Sequence, residues 1–218
     1  MTGKLCVVVA SLLALAGCSM PGVKPGAALP ADEGILVTSL RCQSTINFVN
    51  VYASGSRSEG MFSLPPRTVR ELGCSGLVVA TPLKAGRYYL GGFIEHGYGR
   101  NVSMREAESL SFTITPNATT YIGEILLTDT WAGANPAGMR VLARDRSVET
   151  LQLLQARQPW VVSSHPWRVA LASPAPGMLS PQALEDELKA CGQACFNQWT
   201  PPLKMLCPTA DACTPAAE

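Results

Sequence analysis

Thr120-Tyr121-Ile122-Gly123-Glu124-Ile125-Leu126-Leu127-Thr128 reads as a β-strand with one face turned to a core. Tyr121, Ile125 and Leu127 recur at even spacing with Gly123 among them, and Glu124 falls on the other face, the period of two that a half-buried strand requires. Phe112 and Ile114 alternate with Ser111 and Thr113 in the same way. Similar short alternations cover residues 35–40, 46–53, 61–64, 76–81, 87–95, 110–115, 120–128 and 138–144, broken by Gly, Pro, Asn and Ser clusters. Strands this short bury their apolar faces only when two sheets pack together, so the expectation over residues 34–158 is mainly β, an antiparallel β-sandwich. Lys84-Ala85-Gly86 and Pro116-Asn117-Ala118 have turn chemistry. Gly91-Gly92, inside an otherwise good strand, marks a bulge or close sheet packing. Residues 97–108 are polar and read as an exposed loop.

Three stretches carry a resemblance. Pro82-Leu83-Lys84-Ala85-Gly86-Arg87-Tyr88-Tyr89-Leu90, then Phe112-Thr113-Ile114-Thr115-Pro116, then Thr120-Tyr121-Ile122-Gly123-Glu124-Ile125 together resemble a family of uncharacterised bacterial lipoproteins. In that family a Gly-x-Tyr-Tyr strand precedes a Tyr-Ile-Gly-Asp/Glu strand. The resemblance covers residues 35–158, including Arg144-Asp145-Arg146. It implies an immunoglobulin-like or transthyretin-like sandwich, similar to carboxypeptidase-regulatory domains, and it supplies no catalytic residues.

The N-terminus has the grammar of an export signal. Lys4 gives a positive start, and an apolar run from Leu5 to Ala16 follows that is too short for the ~20 residues of a membrane-spanning helix. It ends in Leu15-Ala16-Gly17-Cys18, which resembles a lipobox: residues 1–17 are expected to be removed and Cys18 to be acylated, palmitate included. Several acyl chains on one residue anchor firmly. Ser19, rather than aspartate, points to the outer membrane. Residues 18–33, rich in Pro and Gly, are expected to be a lipidated, flexible tether holding the domain off the membrane.

After the sandwich, Ser147 is placed to cap a helix from 148 to 157, with Glu149 early and Arg157 late, each suited to the helix dipole. Prolines 159, 166, 174 and 176 make 159–179 a connector, with a strand at 167–172. Residues 180–218 read as a Cys-rich helical hairpin: Ser180-Pro181 opens a helix on which Leu184, Leu188, Cys191, Cys195 and Trp199 share one face. Six cysteines remain after Cys6 in the signal and Cys18 in the anchor. In an oxidising periplasm they are expected to form disulfides. Cys191 and Cys195 project in parallel from one helix face, so each is expected to reach beyond it, Cys195 to Cys207 and Cys191 to Cys213, with Cys42–Cys74 closing the sandwich.

The chemistry available is sparse. Cx3C and Cx5C spacings are not the paired CxxC of zinc sites, and a Cx3C within a helix is not a thioredoxin-like site. His96 and His165 lack a nucleophile elbow. No cofactor or metal is expected. With 17 Lys+Arg against 16 Asp+Glu, and 15% charged residues against a usual ~25%, no global field draws in nucleic acid. Arg67 and Arg70, or Arg140, Arg144 and Arg146, could line a face for an anionic ligand, although strand-edge charge is the commoner role. Trp160 and Trp167 flank His165 and form either a ligand platform or anchors of the connector. The expectation is therefore a non-enzymatic outer-membrane lipoprotein, anchored by lipid and facing the periplasm, that binds an envelope protein partner or contributes to envelope structure. The alternative is a peptidoglycan- or glycan-binding accessory or an envelope enzyme.

Overall fold

The computed structural model describes residues 22–26, 28–42, 46–56, 66–95, 101–132, 135–174 and 204–205. Two six-stranded sheets face each other. In the first, β8 (Thr119–Ala132) pairs with β1 (Glu33–Cys42), β1 with β4 (Ser75–Lys84), and β4 with β12 (Lys204–Met205). The other edge of β8 is shared by β10 (Trp167–Val169) at its start and β9 (Asn135–Arg144) further along. In the second sheet β5 (Gly86–Glu95) is central, flanked by β2 (Ile46–Ala53) and then β3 (Thr68–Gly73) on one side. On its other side lie β7 (Leu110–Ile114) and β6 (Asn101–Ser103), with β11 (Ser173–Pro174) beyond β7. The mainly β sandwich expected from the alternation is present, with one difference. The first sheet is mixed, because β1 and β10 both run parallel to β8, and β12 runs parallel to β4.

Between the sheets lie Leu36, Leu40, Val49, Val51, Leu72, Tyr88, Leu90, Phe112, Ile114, Ile122, Ile125 and Leu127. The Tyr88 and Phe112 rings stack with centroids 5.8 Å apart, and the Tyr88 hydroxyl donates to the Lys84 carbonyl at 2.7 Å. The outer face of the first sheet carries a second apolar layer: Ile35, Val37, Val78, Ala80 and Tyr121 are covered by Leu154 of α1 (Ser147–Arg157) and Val161 of α2 (Pro159–Ser163). A sheet that is apolar on both faces needs such a cover.

Gly123 is the reason that β8 serves both layers. Val37 faces Tyr121 and Ser39 faces Glu124, so β8 carries one extra residue there, and Gly123 has φ +109°. That bulge inverts the faces along the strand. Tyr121 points out into the helix layer, while Ile125 and Leu127 point in beside Ile122. The expected common face for Tyr121, Ile125 and Leu127 is thereby corrected: period two holds on each side of Gly123 and not through it. Gly91 and Gly92 behave as expected. The pairing of β2 with β5 shifts between Asn50/Gly92 and Val51/Leu90, and a Cβ on Gly91 would meet the Tyr52 ring at 2.9 Å.

Three more expectations change. Val23 is buried, and its carbonyl accepts from Trp160 Nε1 at 3.1 Å, so a stretch expected to be a free tether is packed on α2 at Val23. α1 begins at Ser147 itself, whose N–H donates to Asp145 Oδ1 at 2.8 Å, so the Asp145 carboxylate takes a first-turn N–H in place of the hydroxyl expected of a Ser147 cap. Pro159 opens α2 rather than ending helix, because a first-turn position needs no N–H. β3 had no expectation, since Thr68, Val69 and Glu71 are exposed and only Leu72 marks its inner face. The segment 61–64 and the tail helix expected after 180 lie outside the described residues.

Cys42 and Cys74 form the expected disulfide, with Cα atoms 5.5 Å apart and 32 residues of separation. Cys42 ends β1, where the chain leaves the first sheet for β2. Cys74 is the single residue between β3 in the second sheet and β4 in the first. The bridge therefore fastens both corners at one end of the sandwich. Replacing Cys42 and Cys74 by alanine is expected to lower stability by about 3–4 kcal/mol, the loop entropy of a closure of this size. Urea unfolding midpoints of the wild type and the double variant measure it.

Candidate functional site

Charged side chains converge on the outer face of the first sheet at the level of the Gly123 bulge. Glu124, turned outward by that bulge, has a fully buried side chain. Its Oε1 lies 2.8 Å from Arg41 Nε and 3.7 Å from Arg146 Nη1, and its Oε2 lies 3.8 Å from Arg144 Nη1. Each arginine comes from a different element. Arg41 is on β1, Arg144 is directly opposite Glu124 on β9, and Arg146 immediately precedes α1. The Arg146 N–H donates to the Tyr121 hydroxyl at 3.1 Å, which fixes the start of the helix over the sheet.

Two backbone irregularities make room for this group. On one side of β1, Gly123 has its carbonyl held by the Thr38 hydroxyl at 2.8 Å. On the other side, β4 carries an extra residue between Val78 and Ser75; Gly76 there has φ +70°, and a Cβ on it would sit 3.4 Å from Arg41 Cγ. Gly76 thus lets the arginine stem lie flat along the sheet.

The electrostatics follow from the crowding. Burial lowers the pKa of Arg41; Glu124 opposes that shift, while Arg146 and Arg144 add to it. Arg41 Nε lies 2.8 Å from Glu124 Oε1, so a charge-assisted hydrogen bond joins the pair. Arg146 also reaches Glu149 at 3.6 Å. Tyr121, beneath this group, has its pKa pushed up to about 12 by burial, against the opposing effects of the Arg146 N–H and Thr150 and with Glu124 and Asp145 adding to the rise. The chemical consequence is mechanical coupling: one carboxylate ties β1, β8, β9 and the start of α1 into a unit.

The candidate ligand-face residues fall in two settings. Trp160 and Trp167 do share one region, but both are half-buried in the outer apolar layer. Trp160 donates to Val23, and the Trp167 ring stacks on Tyr121 with centroids 5.7 Å apart and planes at 21°. They act as anchors of α2 and β10. Arg144 turns to Glu124, and the Arg140 side chain lies outside the described residues. Arg67 is exposed, and Arg70 donates to the Pro82 carbonyl at 3.2 Å. His165 is half-buried in the turn between the two tryptophans. His96, Cys18, Cys191, Cys195, Cys207 and Cys213 lie outside the described residues.

Sequence reasoning missed Arg41 and the buried role of Glu124. The available signal was Gly123 itself, since a glycine inside a strong strand marks a bulge and reverses the faces beyond it. It also missed the Glu106 carboxylate, which accepts from the Ser54 hydroxyl and from the Gly55 N–H at 3.1 Å. These bonds, the Ser54 one foremost, hold its pKa below the usual carboxylate range despite some burial, with Arg87 assisting. This contact pins the 3-10 turn Glu106–Glu108 to the end of β2. Among the described residues, no group of three or more His, Cys, Asp or Glu is placed to hold a metal ion.

Glu124→Gln is expected to cost about 3–5 kcal/mol in urea unfolding, because it leaves buried guanidinium charge without its counterion. Adding Arg41→Gln should cost less than the sum of the single changes, as a double-mutant cycle reads. Tyr121 generates a pH dependence. Its phenol has an ordinary value of 10.0 but keeps its proton to about 12 in the fold. Between those values the unfolded chain has released the proton and the folded chain has not, so stability is unaffected below that window and falls by about 2–3 kcal/mol across it. Tyr121→Phe, compared with wild type by unfolding at stepped alkaline pH, should lack that part of the decline. Compared with known proteins, the chain matches no family model, no curated protein and no solved structure.

Proposed function

We propose that this chain is a non-enzymatic envelope lipoprotein, acylated at Cys18, held at the outer membrane facing the periplasm, and presenting its sandwich to an envelope protein partner or as a structural element. One observation supports this reading over a sugar-binding one: side chains singled out for a ligand face make contacts within the fold, Arg144 to Glu124, Trp160 to Val23, and Trp167 to Tyr121. The Leu15-Ala16-Gly17-Cys18 motif supports the anchor. The Tyr-Ile-Gly-Glu run, whose glycine places the buried carboxylate, supports kinship with lipoproteins built on the same motif.

Metabolic labelling with a palmitate analogue should mark the wild type and not Cys18→Ala, and should move with the membrane fraction. Crosslinking of the labelled chain in its native envelope, followed by mass spectrometry, should return one reproducible protein partner. Glycan fragments without protein would overturn the partner reading, and an unlabelled wild type would overturn the anchor.

A further inference from the structure

The packed lead-in to β1 leaves little slack between the expected anchor and the domain. Cys18 and Val23 are five residues apart, a span of at most ~18 Å even when fully extended. Val23 is buried in the outer apolar layer, and its carbonyl accepts from Trp160 of α2. An acylated cysteine sits at the level of the lipid headgroups, a zone roughly 5–8 Å deep on each side of the hydrocarbon. α2 is in turn tied to one end of the sandwich. The Thr119 hydroxyl at the start of β8 donates to the Val161 carbonyl at 2.6 Å, and the Thr119 N–H donates to the Pro166 carbonyl at 3.0 Å.

The same end carries the start of β1 and two turns. Asn117 N–H donates to the Glu33 carbonyl at 2.8 Å, and Ala85 N–H donates to the Asp32 carbonyl at 2.7 Å. Lys24, Lys84, Asn117 and Arg168 are exposed here, with Lys84 3.6 Å from Asp32. The Cys42–Cys74 bridge closes the opposite end. The ten residues of β1 separate the two, about 30 Å of strand.

We infer that the end of the sandwich formed by residues 22–26 and 28–33, α2 and the turns at 84–86 and 115–118 lies against the lipid headgroups of the leaflet that holds the anchor. The disulfide end then projects away from the membrane. The occupant of this surface is a phospholipid headgroup layer: the short reach brings it there, and the net basic exposed side chains suit its anionic members. The inference rests on acylation at Cys18, and it reverses the expectation of a tether that holds the domain off the membrane.

The test uses the full-length acylated chain in vesicles of phosphatidylethanolamine with a minority of phosphatidylglycerol. A photoreactive benzophenone amino acid is placed singly at Lys24, Asn117 or Ser75, all exposed, with Ser75 at the disulfide end. Lipid adducts from Lys24 and Asn117, and their loss at Ser75, are the expected result. Vesicle-bound protein that gives no adducts, or equal adducts from all three positions, would overturn the inference while leaving the anchor in place. Protein that carries no acyl chain by intact mass and fails to float with the vesicles would remove the anchor, and the inference with it.

Discussion

Everything on the outer face of the first sheet depends on the single extra residue that β8 accommodates at Gly123. A regular strand would present Tyr121, Gly123, Ile125 and Leu127 to one side. The positive φ at Gly123 breaks that run, so Ile122, Ile125 and Leu127 fill the space between the sheets while Tyr121 and Glu124 face outward. A side chain at 123 would press on the Arg144 carbonyl and on Ala143, which makes the small residue a condition of the β8–β9 pairing. Once Glu124 faces out, it requires positive partners, because a buried carboxylate without them is costly. Arg41, Arg144 and Arg146 meet that requirement, and in doing so fix where α1 begins.

The helix layer can be understood as a consequence. Val37, Val78 and Tyr121 leave the first sheet apolar on its outer face, and α1, α2 and the segment around Val23 cover it. The Tyr121 hydroxyl orients this cover through the Arg146 N–H, and Thr119 holds α2 through the Val161 carbonyl. Trp160 and Trp167 then serve as large, partly polar wedges, each with one defined contact: a hydrogen bond to Val23 and a stack on Tyr121. Amphipathic aromatic rings suit a boundary between an apolar layer and water.

The strands with clean alternation were legible from sequence, as at Phe112 and Ile114, because one buried face imposes period two. The Cys42–Cys74 bridge was also legible, since these two cysteines remain in the sandwich once the four at 191–213 are expected to pair among themselves. Four features were not. β3 exposes most of its side chains, so its pattern carries little hydrophobic signal. α2 is five residues long and starts on a proline, too short for a helical period to emerge. The Glu124 group joins residues as far apart as Arg41 and Arg146, and only the sheet registers bring them together. Val23 and Leu29 are isolated apolar residues in a Pro- and Gly-rich stretch, and their docking depends on a surface built from residues far along the chain.

The placement of β1 has a further consequence for how the chain reaches this structure. β1 is flanked by β4 and, in parallel, by β8, whose residues are made long after it. The first strand to be synthesised is therefore among the last to gain both neighbours, and until Thr119–Ala132 arrives, one long edge of Ile35, Leu36 and Val37 has no permanent partner. Pairings of such long sequence separation fold slowly, and unpaired apolar edges invite association with other chains. The same topology that centres β1 in the finished sheet leaves the nascent chain with an apolar strand edge open to other chains until β8 is made.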